Sequence, residues 1–306
     1  MSSTYSYLGG RQTSVTVLVL TAVTAFSVFP AWAGQAASTN DESVVPVYEG
    51  WERNPDGSFN LVFGYFNRNH IDELDLPVGP SNYLEPGDID RGQPTYFYPR
   101  RSRFLFRVRV PSDFDNKELV WTLITNGRTE RAYATLKTDY YIDDIVIMNN
   151  NGAGGSAGGA NNLFGNTAPA LNIEGDDLRH VNIGESITLR ASATDDGIPL
   201  PRAVQSGSTI GSRCCPDAAT GLRLSWFVYR GSNDATFEPP QFDAWENYRD
   251  WANSPYAVGW ETPTIPPDNT WVVSVSFGAP GTYTLRCLAH DGGLMSTKDI
   301  TFIVSP

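Results

Sequence analysis

Thr282–Ala289 reads TYTLRCLA, and its alternation places Tyr283, Leu285, Cys287 and Ala289 on one face of an extended chain. Successive strand side chains point to opposite faces, so such a stretch is a strand with one oily side. The same pattern recurs around it. Upstream, ESITLRASA puts Ile187, Leu189, Ala191 and Ala193 on one face, LRLSWFVY does so with Leu222, Leu224, Trp226 and Val228, and WVVSVSF with Trp271, Val273, Val275 and Phe277. Downstream, DITFIV aligns Ile300, Phe302 and Val304. Five one-faced strands are not stable alone, but two antiparallel sheets packed face to face bury all of them. Residues from about Thr167 to Pro306 therefore read as a β-sandwich.

Toward the N-terminus, residues 149–166 (NNNGAGGSAGGANNLFGN) are too poor in apolar surface to order themselves. They read as a flexible linker, spanning very roughly 25 Å root-mean-square. YYIDDIVIM (140–148) is apolar enough to be a strand. A first β-rich region covers residues 44–148. VVPVYEGW and FNLVFGYFN flank Asn54-Pro55-Asp56-Gly57, a type I turn signal between two strands. In FLFRVRV, Phe104, Phe106, Val108 and Val110 share a face opposite Arg107 and Arg109. LVWTLIT, Asn126-Gly127 and ERAYATL form a second hairpin, Asn-Gly being the strongest short hairpin signal. Residues 71–99 are broken by Pro, Gly and Asp and read as a long ordered loop. No amphipathic helix of useful length is expected. The fold class is all-β: two β-sandwich-type domains joined by a Gly-rich linker.

The first 33 residues have a different character. Arg11 precedes an apolar run from Val15 to Phe29, which ends at Pro30 and the small-x-small site Ala31-Trp32-Ala33. That is the layout of a cleaved secretory signal peptide, and the run is shorter than the ~20 residues a spanning helix needs. Residues 34–43 read as a mobile mature N-terminus. Cleavage removes one arginine and no acid, taking the net charge from −12 to −13. An acidic surface repels phosphate backbones, so nucleic acid and anionic membrane partners are not expected. The partner expected is a protein or glycan on the extracytoplasmic side (periplasm, cell surface or medium), with no membrane span after cleavage.

The segments ESITLRASATDDGIP, LRLSWFV and APGTYTLRCLAHDGG, followed by DITFIV, resemble an Ig-like sandwich of the PKD type, common in exported bacterial proteins. The resemblance covers roughly residues 167–306. It implies that the first segment is strand B with its turn, that Trp226 sits on strand C against the core, and that Tyr283 occupies the E–F corner. Leu189 and Leu285 stand where antibody domains carry their B–F disulfide, which fits the PKD branch. Residues 238–269 form a long insertion in place of strand D, and 197–221 exceed a usual B–C loop. The fold itself serves many roles.

Four kinds of chemistry suggest themselves. Asp195 and Asp196 follow strand B, and Asp291 follows strand F; in this topology those loops share one end, where three carboxylates can converge on Ca²⁺, the one cofactor expected. The plainer reading is that Asp-Gly pairs make turns. Cys287 can bridge to Cys214 or Cys215 in the B–C loop, or serve as a small apolar core residue. The odd count of 3 cysteines leaves at least one thiol unpaired within the chain. The insertion carries Trp245, Tyr248, Trp251 and Trp260, whose rings can stack on sugars or instead cover a sheet edge. For catalysis there is no zinc-binding His pair or phosphate loop, and His70, His180 and His290 are scattered. The expected function is non-enzymatic: a structural, adhesion or accessory binding module. The alternatives are a carbohydrate-binding protein using the aromatic insertion, and a hydrolase with a site between the domains.

Overall fold

In the computed structural model, Val44–Arg53 (β1) and Phe59–Asn67 (β2) pair antiparallel around the Asn54–Gly57 turn. Asp56 Oδ1 accepts from Ser58 N at 3.1 Å and Ser58 Oγ at 2.6 Å, which fixes the turn. The structure describes residues 42–153, 163–204 and 217–306. The expected signal peptide (1–33), most of the expected mobile N-terminus, the middle of the linker, and Cys214 and Cys215 lie outside the described residues.

The chain continues through Leu74–Asp75 (β3), Asn82–Glu85 (β4), Tyr96–Phe97 (β5), Arg100–Val110 (β6), Leu119–Thr125 (β7) and Arg128–Ala134 (β8). β1-β2-β6 form one sheet and β4-β7-β8 another, with β3-β5 as a short ribbon. Leu61, Phe63, Phe106 and Val108 from the first sheet meet Leu84, Trp121 and Leu123 from the second in one core. Phe63 and Phe106 stack at 5.2 Å, and Trp121 meets both edge-on. Residues 71–99 are thus more than a loop: β4 pairs with β7 and closes the second sheet. Asn82 anchors this segment, donating from Nδ2 to the carbonyls of Leu76 and Pro94 at 2.9 and 2.8 Å and accepting from Trp121 Nε1 at 3.0 Å.

The alternation along β6 breaks at a bulge opposite Phe63–Tyr65, with Phe104 at φ 48°. Phe106, Val108 and Val110 keep the shared core, while Phe104 turns to a third cluster with Val62, Ile142, Ile147 and Met148. That cluster corrects the reading of 140–148 as a strand. Thr138–Tyr140 is a 3-10 turn and Asp144–Asn150 is a short helix, α1. Asp143 caps α1 by accepting from Val146 N at 3.0 Å, satisfying one of the free N–H groups at a helix start. The linker is also shorter than expected: Ala153, Leu163 and Asn166 are buried at its two ends.

The C-terminal part contains Ala170–Ile173 (β9), Leu178–Asn182 (β10), Ile187–Thr194 (β11), Arg223–Arg230 (β12), Ala235–Glu238 (β13), Thr270–Phe277 (β14), Gly281–His290 (β15) and Met295–Ser305 (β16). Sheets β13-β14-β11-β9 and β10-β16-β15-β12 face each other, with β10 parallel to β16. The faces read from the sequence are the faces that meet: Leu189, Ala191, Trp226, Val275, Leu285 and Phe302 are all buried in one core. Tyr283 Oη donates to the Ala279 carbonyl at 2.9 Å, the tyrosine corner expected of an Ig-like sandwich.

β12 is an edge strand of its sheet, yet both of its faces are buried, with Ser225 and Tyr229 covered as fully as Trp226 and Val228. An open edge is a template for unwanted pairing. Here it is sealed. Val228 N donates to Tyr98 Oη at 3.0 Å, Trp226 N to Gln241 Oε1 at 3.0 Å, and Thr95 N to the Tyr229 carbonyl at 3.2 Å. The N-terminal region and the insertion together supply the cover.

Candidate functional site

The insertion leaves β13 at Glu238 and crosses the outer face of β12 before β14. Its rings do not form a displayed row. Trp245 is partly buried and stacks on Tyr98 at 4.2 Å with planes 14° apart. Tyr248 meets Tyr256 edge-on at 5.7 Å and donates to Glu246 Oε2 at 2.7 Å. Trp260 packs against Phe242 at 5.5 Å and donates from Nε1 to Asn253 Oδ1 at 3.0 Å. Trp251 alone stands out, 98 % exposed on a backbone with φ 66°. Three of the four rings thus tie the insertion down, and one is offered to solvent.

Under this cover lies a cavity of about 50 Å³, walled by Tyr65, Tyr98, Arg101, Arg103, Trp245 and Arg286 among others. It has roughly a third of the volume of an engineered cavity that admits benzene, too little for a sugar ring. No Asp or Glu lines it, so it is not the cleft of facing carboxylates that a hydrolase reading requires. Its arginines are held by neighbours from both halves of the chain. Arg103 pairs with Glu246; burial alone would lower the guanidinium, and the nearby carboxylate outweighs it and holds it above its ordinary value. Arg286 donates to both oxygens of Asp299 at 2.7 and 2.8 Å and to the Leu105 carbonyl at 2.6 Å, with its plane 3.4 Å from the Tyr229 ring centre. Outside the cavity, Arg230 at the end of β12 donates to both oxygens of Asp90 at 3.0 and 2.7 Å. None of these arginines was picked out in the sequence. Arg286 sits on the polar face of its strand, where a charged residue reads as solvent-facing unless something covers it.

At the far end of β11 and β15, the predicted aspartates part company. Asp196 Oδ2 accepts from Thr167 N and Oγ1 at 2.8 and 2.7 Å, and its Oδ1 from Ile198 N at 2.9 Å. It is therefore a turn residue, and the expected convergence of three carboxylates does not form; no set of three His, Cys, Asp or Glu groups suited to a metal occurs among the described residues. Asp195 and Asp291 do come within electrostatic reach of each other. Asp291 is fully buried; burial pushes its carboxyl up to about 6, against the pull of N–H groups from Gly293 and Leu294. Cys287 is also fully buried among core side chains, and burial raises its thiol. It is a free cysteine, and both proposed partners lie outside the described residues. No helix among the described residues is long and apolar enough to cross a membrane.

No family model matches the chain, and no curated protein matches it. Solved structures do align. The fibronectin(III)-like modules of Clostridium thermocellum CbhA cover 86 % of this chain and 94 % of their own, at 9 % identity and a TM-score of 0.22. The Yersinia pseudotuberculosis adhesin InvE covers 87 % of this chain and 59 % of its own, at 12 % identity and a TM-score of 0.23. Four immunoglobulin domains of Sidekick-1 cover 86 % of this chain and 48 % of their own, at 9 % identity and a TM-score of 0.24. Superpositions this loose carry no functional weight. The all-β sandwich fold rests on the strand order and the two facing sheets.

Proposed function

We propose that the chain is a non-enzymatic exported module, structural or adhesive, that works on the extracytoplasmic side against a protein or glycan partner, with a C-terminal sandwich of the PKD type. The observation that carries this reading is the sealed outer face of β12. Side chains from both halves of the chain lock across it through Arg103–Glu246, Arg230–Asp90 and the Tyr98–Trp245 stack. A surface spent on rigid internal joinery suits a load-bearing or spacing element that presents its loops at fixed positions. Export is read from residues 1–33. The test is fractionation with N-terminal sequencing: the mature protein should begin at Gly34 outside the cytoplasm. Untrimmed chain retained in the cytosol would overturn the export reading, and turnover of any substrate abolished by a single carboxylate substitution would overturn the non-enzymatic one.

Trp251 supports a second reading, glycan binding. A bulky side chain in the left-handed region is strained unless its surroundings hold it there, and such strain collects at functional positions. A solvent-facing indole is a flat platform for a sugar ring. Glycan-array binding that persists after Trp251→Ala would remove this reading.

A further inference from the structure

The cavity of about 50 Å³ lies where the outer face of the β12-β15-β16 sheet meets β6 and the insertion. Phe227, Tyr229, Arg286 and His290 line it from the sheet, Arg103 from β6 and Tyr256 from the insertion. Three of these side chains carry donors that find no acceptor among the described residues. Arg103 spends Nε on Glu246 and leaves both terminal nitrogens without a partner. His290 accepts from Gly292 N at Nδ1, at 2.8 Å, so in the neutral ring the proton sits on Nε2, which donates to nothing. Burial keeps that ring neutral, well below its ordinary 6.5. Tyr256 is bonded to Ser254 Oγ through its amide, while its hydroxyl has no partner. His290 is 7 % exposed and Tyr256 8 %.

Buried donors nearly always find an acceptor, and no Asp or Glu lines this space to supply one. The charge around it leans the same way. Glu49, Glu246 and Asp299 neutralise Arg101, Arg103 and Arg286 from outside the lining. A fourth guanidinium has no such counterpart. Arg223 is 3 % exposed, shares the outer face of β12 with Phe227, and stands opposite His290 in the ladder with β15. It donates to the carbonyls of Ala219 and Gly221 and forms no ion pair among the described residues. Asp291 lies within electrostatic reach of it but commits Oδ1 to the amides of Gly293 and Leu294 at 2.5 and 2.7 Å. A buried charge without a contacting partner is costly.

We infer that the cavity holds a small monovalent anion of the chloride class, received by the terminal nitrogens of Arg103, Tyr256 Oη and His290 Nε2. An anion only accepts hydrogen bonds, which is what a wall of unspent donors calls for, and one guanidinium without a carboxylate calls for one negative charge. By volume the space takes on the order of four water-sized spheres, enough for a halide with a few waters. Held there, the anion ties β6 and the insertion to the outer face of the sheet. The inference concerns that joint alone and is independent of whether the chain is exported.

The experiment is a series of thermal melts of the mature full-length chain at constant ionic strength, with sodium chloride replacing sodium gluconate, whose anion is too large to enter. Wild-type Tm should rise by roughly 5 °C and level off as chloride approaches a hundredfold excess over Kd. Tyr256→Phe keeps the ring and its packing and should weaken chloride binding roughly fivefold. His290→Gln should weaken it as well; should that variant fail to fold, Tyr256→Phe carries the test. In crystals grown from sodium bromide, anomalous scattering should place a bromide inside the cavity. A wild-type Tm that ignores chloride, or climbs without levelling as a general salt effect does, would overturn the proposal. So would a chloride response undiminished in Tyr256→Phe, or bromide found at the molecular surface alone, an adventitious ion only.

Discussion

Arg286 is 7 % exposed and makes three hydrogen bonds, two to one carboxylate and one to a carbonyl on the opposite side of the interface. Removing the buried guanidinium opens a void against Tyr229 and leaves the Leu105 carbonyl without its donor, while the half-exposed Asp299 is rehydrated. Arg286→Ala should therefore destabilise the protein by about 2 kcal/mol in urea denaturation. Arg286→Lys should rescue little of it, because a lysine cannot reproduce the planar fork. Gly292 is the second residue on which the local geometry insists. Its φ is 105°, and an added Cβ would sit 2.7 Å from Thr220 Cα. Gly292→Ala should cost about 2 kcal/mol, read from the same denaturation midpoint. Asp243 offers a pH test. Burial raises its carboxyl from 3.8, against the opposing pull of Asn247 and Arg249. Folding thus favours the protonated form. The stability it lends is complete below 3.8 and is lost as pH rises through the folded value. Asp243→Asn should flatten that decline in urea midpoints measured across the mildly acidic range.

At the level of elements, the sequence was most informative where a strand is long and one-sided. β11, β12, β14, β15 and β16 each carry a period-2 pattern, and each buries the face that pattern names. Both N-terminal hairpins were legible from their turns, because Asn126 and Gly127 take the left-handed conformation such turns demand. Two elements were hidden for different reasons. β4 has only four residues and ends at a proline, so its pairing with β7 comes from Asn82's bonds and leaves no periodic trace. α1 sits in an apolar run that fits strand and helix alike; Asp143, three residues before Val146, was the capping signal that separates them. At the site beneath the insertion the sequence pointed to Trp245 but to none of the arginines, because Arg103 and Arg286 take partners far along the chain that no local spacing announces. In the insertion, Trp245→Ala should cost about 3 kcal/mol through the lost stack on Tyr98, while Trp251→Ala should change stability by under about 0.5 kcal/mol. Paired thermal melts of the two variants separate the ring that packs from the ring that is displayed.

Across the whole molecule, Tyr96 and Tyr98 from the N-terminal region belong to the hydrophobic cluster of the C-terminal sandwich. Two cores that share side chains and ion pairs should unfold together. Calorimetry should show one transition, and Arg103→Ala combined with Tyr98→Ala should split it into two. A wild-type scan with two resolved transitions would mean that the contacts across β12 are too weak to couple the halves. The sequence left open whether the two parts reorient or pack, since a Gly-rich stretch of that length permits either. The interface that decides between them is made of arginines, tyrosines and carbonyls, whose partners are more than a hundred positions away.

The cover over β12 also governs what happens to a fragment. Expressed from Thr167 onward, the sandwich would keep its oily interior but lose Thr95 and Tyr98, leaving the Val228 amide and the Tyr229 carbonyl bare along an exposed border. Such a fragment invites a second copy to zip alongside and should accumulate as ribbons or inclusion bodies, so the first half of the chain doubles as the built-in chaperone of the second.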